Sequence, residues 1–410
     1  GIRDGRWSGS FLRLAARSRA PIVPLFVRGR NSPLFYLTSM LYKPLATLLL
    51  VREMFAQRSG RIQLRIGARI PCEAWSSLDL PIDALAKRFR KHLYRLARGK
   101  SGLFRAESPI ALPEERVPLK RAIEACERLG QTPDGKQIYL YQRGKQPQAP
   151  ILRELGRLRE IAFRAVGEGT GQRRDLDRYD DDYLHLLLWD PGALEIVGAY
   201  RLIPTAPLLQ QKGVDGLYSH SLFAYGAGMD EILAQGIELG RSFIQPAYWG
   251  RRGLDYLWQG IGAFLARHPE YRYLFGPVSI SGSMPLTARD LLVTFYRLYF
   301  AAPPSVARSR NPYPPSSPQL IAQFSGQDYQ ADLARLKTLL DNLGCAIPTL
   351  YKQYTELCEM GGVQFMDFGC DPDFADCIDG LVLVDLARIK AAKYQRYIAI
   401  HQQGSADVAA

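Results

Sequence analysis

Apolar residues recur along the chain in two rhythms, every second position and every third or fourth, and these mark out its elements. Leu254, Leu257, Trp258, Ile261, Phe264 and Leu265 fall at helical spacing, which predicts a helix burying that stripe. Residues 183–189 and 196–202 run apolar on either side of Asp190-Pro-Gly192, a hairpin pattern. Further strands are predicted over 137–142, 237–244, 271–280, 363–368 and 380–384, and helices over 151–166 and 287–300. Residues 302–318 hold six prolines and read as an irregular loop. This order predicts an α+β layered fold around one mixed sheet. Upstream, a helix is expected over 9–20, a buried strand over 21–27 opened by proline, a strand over 61–66 and a basic helix over 81–98. The pattern loosens through 99–117, so the chain divides into 1–105, 106–400 and a tail at 401–410.

Charge sharpens that division. The net charge is +13, yet residues 1–105 hold 21 Lys+Arg against 5 Asp+Glu, and the other 305 residues hold 32 against 35. A basic module beside a near-neutral one points to a polyanion: anionic lipid headgroups, an acidic carrier protein or nucleic acid. Without a zinc-finger, RNP-type or helix-turn-helix pattern, nucleic acid is set aside. Six cysteines without CxxC or a Cys/His cluster read as reduced thiols, not a disulfide frame or zinc site. The chain opens without Met or a signal peptide, and its first residues read as the interior of a longer protein. Residues 33–51 are the nearest approach to a transmembrane stretch, interrupted by Lys43 and Pro44. Flanked by Arg28, Arg30 and Arg52, they fit either a bilayer surface or a buried core segment split by a turn.

Four fragments of the second module carry polar residues that a simple core does not need. They are Arg159-x-x-x-Phe163, Asp175-x-Asp177-x-x-Asp180, Gly198-x-x-Arg201 and Glu238-x-x-Arg241, the last running on to Ile244, Tyr248, Gly250, Arg251 and Arg252. Three residues apart in a strand, Glu238 and Arg241 would face opposite ways, but a bulge at Gly240 would turn both into one cleft. Such a bulge frees backbone N–H groups for a thioester oxygen or pantetheine amides. Asp177 and Asp180 on one face offer negative charge to a cationic substrate.

In this order the set resembles the polar residues of the acyl-homoserine lactone synthases. The text around it is similar to their relatives, the ornithine-lipid N-acyltransferases of the GNAT superfamily: residues 156–169, 174–180, 195–202, 238–268 and 348–354, within a likeness covering 130–390. The resemblance implies a GNAT-like mixed sheet flanked by helices and direct transfer of a (3-hydroxy)acyl chain to an amino acid's α-amino group. Glu238 would take the proton and strand N–H groups would hold the oxyanion, with no acyl-enzyme, metal or bound cofactor. Arg159, Arg201 and Arg241 would orient carboxylates or the donor, Phe163 would line the substrate site, and Asp177 and Asp180 would hold the acceptor's cationic groups, favouring ornithine. Where GNAT enzymes carry a small-residue coenzyme A loop, this chain has Ala247-Tyr-Trp-Gly250-Arg-Arg252. Bulky Arg251 and Arg252 suit acyl carrier protein, an acidic donor presenting phosphopantetheine, and Ile244, Tyr248 and Gly250 would complete that contact.

His185-x4-Asp190 matches the charge pair of glycerolipid O-acyltransferases, but strand geometry puts the two on opposite faces, about 16 Å apart. Residues 1–72, with Gly1-Ile-Arg-Asp-Gly-Arg-Trp7 and Ala20-Pro-Ile-Val-Pro24, nevertheless resemble the tail of that family. The pairing is similar to bifunctional ornithine-lipid synthases. It implies a truncated O-acyltransferase-type α/β segment without O-acylation activity, ahead of an N-acyltransferase at the inner face of the bacterial cytoplasmic membrane. Two other readings remain: a homoserine-lactone-type signal synthase, which the lipid-type partner segment disfavours, and a non-catalytic membrane scaffold, which leaves Glu238 and Arg241 unexplained.

Overall fold

The computed structural model describes residues 5–29, 31–56, 62–76, 78–145 and 150–402. The chain divides into two compact units, Gly1–Pro109 and Ile110–Ala410. The last eight residues of the expected tail, Arg30, and the first four residues of the opening motif lie outside the described residues.

The first unit runs α1 (Ser10–Ser18), β1 (Leu25–Arg28), α2 (Pro33–Leu41), α3 (Lys43–Ala56), β2 (Gln63–Ile66), α4 (Glu73–Ser76) and α5 (Ile82–Ala97). Its core gathers Leu12 from α1, Ile70, Trp75 from α4, Leu85 and Phe89 from α5, and Phe104. The strand expected over 21–27 differs from its reading. Prolines 21 and 24 lack the N–H a ladder needs, so β1 begins only at Leu25 and pairs antiparallel with β2 alone. With so little cover it is largely exposed. The stretch 33–51 is two helices parted at Tyr42, and α2 buries none of its residues: Leu37 is 61% and Met40 87% exposed. Neither α2 nor residues 48–51 are buried, so the core-segment reading does not hold for them. No helix among the described residues is long and apolar enough to cross a membrane.

The second unit runs α6 (Arg116–Glu124), β3 (Glu127–Gln131), β4 (Gln137–Gln142), α7 (Ile151–Ala165), β5 (Leu184–Asp190) and β6 (Glu195–Pro204). Next come α8 (Thr205–Lys212), α9 (Tyr218–Leu222), β7 (Phe223–Tyr225), α10 (Asp230–Ala234), β8 (Gly236–Ile244), α11 (Gly253–Arg267), β9 (Tyr273–Ile280) and α12 (Leu286–Phe300). It closes with β10 (Ala307–Ser309), α13 (Pro318–Ile321), α14 (Tyr329–Asn342), α15 (Thr349–Thr355), β11 (Val363–Asp371), β12 (Cys377–Asp385) and α16 (Ala391–Tyr394). An eight-stranded sheet in the order β11-β12-β9-β8-β6-β5-β4-β3 forms its middle layer.

Helices cover both faces, which is why β5 reads as a nearly continuous apolar run. Leu186 and Leu188 point to the side of Leu257, Trp258 and Ile261 on α11. Leu187 and Trp189 point to that of Leu155 and Leu158 on α7. The layered α+β expectation holds, and the α11 stripe and the β5–β6 hairpin fall where the periodicity put them. The proline-rich loop differs in holding β10, which pairs with β7.

One junction matters for everything that follows. The sheet's neighbours are antiparallel except β8 and β9, which run parallel and pair only from Gly236–Glu238 to Tyr273–Phe275. Beyond that point β8 stays with β6 as far as Ile244, and β9 stays with β12 as far as Ile280. The two strands therefore part, and a V-shaped gap opens in the middle of the sheet. Gly276 sits where they separate: a Cβ there would lie 2.0 Å from the carbonyl oxygen of Leu239. The oxygen and the Cα that would carry this Cβ both belong to backbone locked in the sheet, so neither can yield cheaply. Gly276→Ala is expected to cost about 3 kcal/mol, read as a lower midpoint of thermal unfolding; an unchanged midpoint would contradict this account of the junction.

Candidate active site

The polar fragments converge on the α7 face of the sheet, beside the gap. Cross-strand register does most of the work. His185 on β5 faces Arg201 on β6, Arg201 faces Gly240 on β8, and Ile203 faces Glu238, so these positions share one face. Arg159 comes down from α7 to meet them, and residues 175–183 wrap around the edge of the cluster. The register slips between Ala199/Phe243 and Arg201/Gly240, leaving Arg241 and Ser242 as a bulge opposite Tyr200. The bulge expected at Gly240 is thus present, but Arg241 itself adopts the left-handed conformation, at φ 47°. That twist brings Arg241 to the same side as Glu238, and both reach Tyr218.

Within this layer the charges hold one another. Arg159 Nη1 donates to Asp180 Oδ1 at 2.7 Å, and Arg201 Nη1 donates to Asp177 Oδ1 at 2.6 Å and Asp180 Oδ1 at 3.1 Å. Arg241 pairs with Asp175 through Nε at 3.2 Å, too bent for a hydrogen bond, and with Asp177 through Nη2 at 3.4 Å. The rest of the Arg201 guanidinium lies among the rings of Tyr179, Tyr183 and Tyr218, 4.9–5.9 Å from their centroids. Arg241 lies over Tyr218 and Phe374.

Burial favours the neutral acid at Asp180, but Arg159 and Arg201 together override it and hold that carboxyl well below its usual range. At Asp175 burial wins and the pKa rises. Burial, with Arg159 beside it, lowers His185 to about 3. Its neutral ring accepts from Arg159 at Nδ1 and donates from Nε2 to the carbonyl of Asp180, each at 3.1 Å.

This geometry corrects several expectations. Asp177 and Asp180 do not await a cationic substrate, because Arg201, Arg159 and Arg241 already occupy them. Arg159 and Arg201 are fully buried and face no open site. Glu238 is also enclosed. One oxygen accepts from Ser219 N at 2.6 Å, and the other from Tyr218 N at 3.2 Å and from the Tyr183 hydroxyl. Burial raises its pKa, but its oxygens are spent fixing the start of α9. His185 and Asp190 lie on opposite faces of β5, and Asp190 instead pairs with Tyr248 and Lys136.

The open space lies in the gap. A cavity of about 80 Å³ is lined by Arg241 and Ser242 of β8, Pro277, Val278 and Ser279 of β9, and Asp379 of β12. Phe163, Glu168, Tyr218, Leu350 and Phe374 close it. Of the expected site residues it takes in Phe163 and Arg241. Ile244, Tyr248, Gly250, Arg251 and Arg252 do not line it; they form the β8–α11 connection at the N-terminus of α11. There Gly250 supplies φ 73°, Trp249 Nε1 donates to Ile244 O at 2.7 Å, and Arg251 and Arg252 are exposed.

Two acids in the cavity escaped the sequence reading. Burial and the nearby Asp379 carboxylate push Glu168 up to about 7. Burial, reinforced by Asp371, pushes Asp379 up to about 6 against the 2.7 Å hydrogen bond from Ser279. Glu168 lies in Gly167-Glu-Gly-Thr-Gly171, a loop tied to the buried Glu160 through the N–H groups of Thr170 and Gly171. Among the described residues no group of three or more His, Cys, Asp or Glu is placed to hold a metal ion.

Residues 158–259 match the family model described as acetyltransferase (GNAT) domain. The glycine N(alpha)-acyltransferase of Bacteroides thetaiotaomicron is 32% identical over 304 residues, 70% of this chain and 89% of that protein. The chain belongs to the GNAT N-acyltransferase family. The L-ornithine N(alpha)-acyltransferase of Brucella abortus is 33% identical over 141 residues, 31% of this chain and 49% of that protein. A CoA-dependent acyl-homoserine lactone synthase of known structure overlays loosely, at a TM-score of 0.29 and 13% identity across 64% of this chain and 94% of its own. In this GNAT N-acyltransferase the match spans α7 to α11, so it takes in both the ionic layer and the β8 side of the gap.

Two outcomes are expected. Glu238→Ala orphans two backbone N–H groups and costs on the order of 3 kcal/mol, whereas Glu238→Gln, which keeps one acceptor oxygen, loses less and retains measurable turnover. A stable Glu238→Gln protein with no turnover would restore Glu238 as the base. At position 241, Gly is expected to be more stable than Ala by about 1 kcal/mol, because both lose the ion pairs but only Gly is unstrained at φ 47°; equal stability would contradict the strain.

Proposed function

We propose that the protein transfers an acyl chain from the phosphopantetheine thioester of acyl carrier protein to the α-amino group of an amino acid, with glycine preferred. The observation that carries this reading is the parted β8–β9 pair with its acid-bearing cavity. A thioester arm laid into such a gap meets strand N–H groups that the sheet no longer uses, which suits a developing oxyanion. An amino acid is an ammonium ion near neutrality, so it must lose a proton before it can attack. A carboxylate whose pKa is raised toward 7 suits that task.

The preference for glycine rests on the ionic layer. Asp177 and Asp180, the acids that would have held ornithine's side-chain ammonium, are already paired with arginines. The cavity is also small, and the similarity to the glycine enzyme extends over most of that protein's length. Ornithine stands second, favoured by the two carboxyl groups that do face the cavity, Glu168 and Asp379.

Exposed Arg251 and Arg252 offer positive charge to an acidic carrier, and Ile244, Tyr248 and Gly250 shape the connection that presents them. The basic first unit, with apolar Leu37 and Met40 exposed on α2, would hold the enzyme at an anionic membrane surface, where an N-acyl amino acid product partitions.

Incubation with 3-hydroxyacyl carrier protein and glycine or ornithine, followed by mass spectrometry, is expected to yield N-acylglycine faster than N-acylornithine. Faster ornithine acylation reverses the acceptor assignment, and no amide product with either removes the proposed function.

A further inference from the structure

We propose that Glu168 is the base that takes the acceptor's ammonium proton, and that Asp379 acts through it as a positioning residue. The inference rests on the N-acyl transfer proposed above and assigns a role inside that site which Glu238 is too enclosed to fill.

The cavity places Glu168 at the end of α7 and Asp379 on β12 around one space, with Arg241 and Ser242 on the β8 wall. Among the described residues the Glu168 carboxylate accepts no hydrogen bond, unlike Glu238 and Glu160, so its lone pairs remain available. Asp379 is 4% exposed and is held on one oxygen by Ser279. The charged and titratable groups around the pair are few. Arg241 shares the cavity but is engaged by Asp175 and Asp177, and Tyr218 is held protonated by burial. Asp371 on β11 lies behind Asp379, and the Cys377 thiol is kept neutral by burial with Asp379 beside it. Like charge between the two carboxyl groups, added to burial, raises Glu168 into the range where a base remains ionised near neutrality yet binds a proton firmly.

A Glu168 oxygen takes one proton from the acceptor's ammonium group, and the freed nitrogen lone pair forms a C–N bond at the thioester carbon. The C–S bond then breaks with its electron pair on sulfur, and a second nitrogen proton passes to the departing thiolate. One amide and one thiol result, and Glu168 returns its proton to water.

The experiment compares the pH dependence of kcat/KM for the full chain and two variants, with the acceptor and carrier thioester that the wild type uses. Wild-type formation of any amide product tests the underlying function; the variants test this assignment. For the wild type, activity should fall as pH drops through about 7, because protonated Glu168 cannot act. Glu168→Gln should lower kcat by about 100- to 10,000-fold, abolish that limb and leave a rate that keeps rising with pH as free amine accumulates. It should not unfold, since it removes a charge held without a hydrogen-bond partner. Glu168→Asp, which keeps a carboxylate, should preserve the limb at reduced kcat and provides the same test should the Gln variant be unstable. Asp379→Asn removes a like charge, lowers the Glu168 pKa and should move the limb to lower pH, an effect that lost packing would not produce. A folded Glu168→Gln protein with wild-type turnover and an unshifted profile would overturn the proposal, as would a Glu168→Asp protein whose kcat is undiminished. An Asp379→Asn protein that alone loses the limb would overturn it too, by making Asp379 the base.

Discussion

Three arginines and three aspartates, buried or half-buried, meet on one face of the central sheet, and the rest of the site depends on how they satisfy one another. A guanidinium as enclosed as that of Arg159 or Arg201 would cost several kcal/mol without partners. Here Arg159 is held by Asp180 and His185, and Arg201 by Asp177, Asp180 and a cage of tyrosine rings. The same contacts fix residues 175–183, which have little regular structure of their own, against α7 and β6. Glu238 does the corresponding job for the start of α9, delivering Tyr218 to the cavity wall. The Arg241 bulge is held in a strained conformation by the two aspartates it pairs with and the two rings it covers.

On the proposed function, this arrangement separates scaffold from chemistry. The ionic layer is closed and pairs its charges with one another, whereas the gap between β8 and β9 is open and holds two acids, Glu168 and Asp379, with no arginine among the described residues hydrogen-bonded to either. Arg241 belongs to both, since its charge is engaged in the layer while its side chain forms one wall of the gap. Changes in the layer should therefore reach catalysis through stability and the shape of β8. Changes at Glu168 or Asp379 should reach it through protonation.

Much of the fold was legible in the sequence because its patterns are strong: the apolar stripe of α11 and the two apolar runs flanking Asp190-Pro-Gly192 in the β5–β6 hairpin admit few other arrangements. α14 was not, because only Leu336 and Leu340 of its apolar side chains are fully buried, with Tyr329, Leu333 and Leu339 half-buried beside them, which leaves a weaker stripe. The strand expected over 21–27 failed for another reason, since an apolar run does not reveal how many strands will cover it. At the site, the order of polar residues identified a real cluster, but a sequence does not say whether a charge faces a substrate or another charge. Asp177, Asp180 and Glu238 were misread on that point alone. Asp379 did leave a signal, a lone acid in the apolar run of β12. Glu168 left less, since an acid between glycines resembles an ordinary turn.

The proposed place of acyl transfer is the gap, not the face of the paired aspartates. The most direct measurement is a crystal structure with a bisubstrate analogue in which pantetheine sulfur is linked to the nitrogen of an N-acylated amino acid. The linkage is expected between Ser242 and Pro277, with its nitrogen within hydrogen-bonding distance of Glu168. An analogue seated instead against Asp177 and Asp180, with their arginine pairs opened, would contradict it.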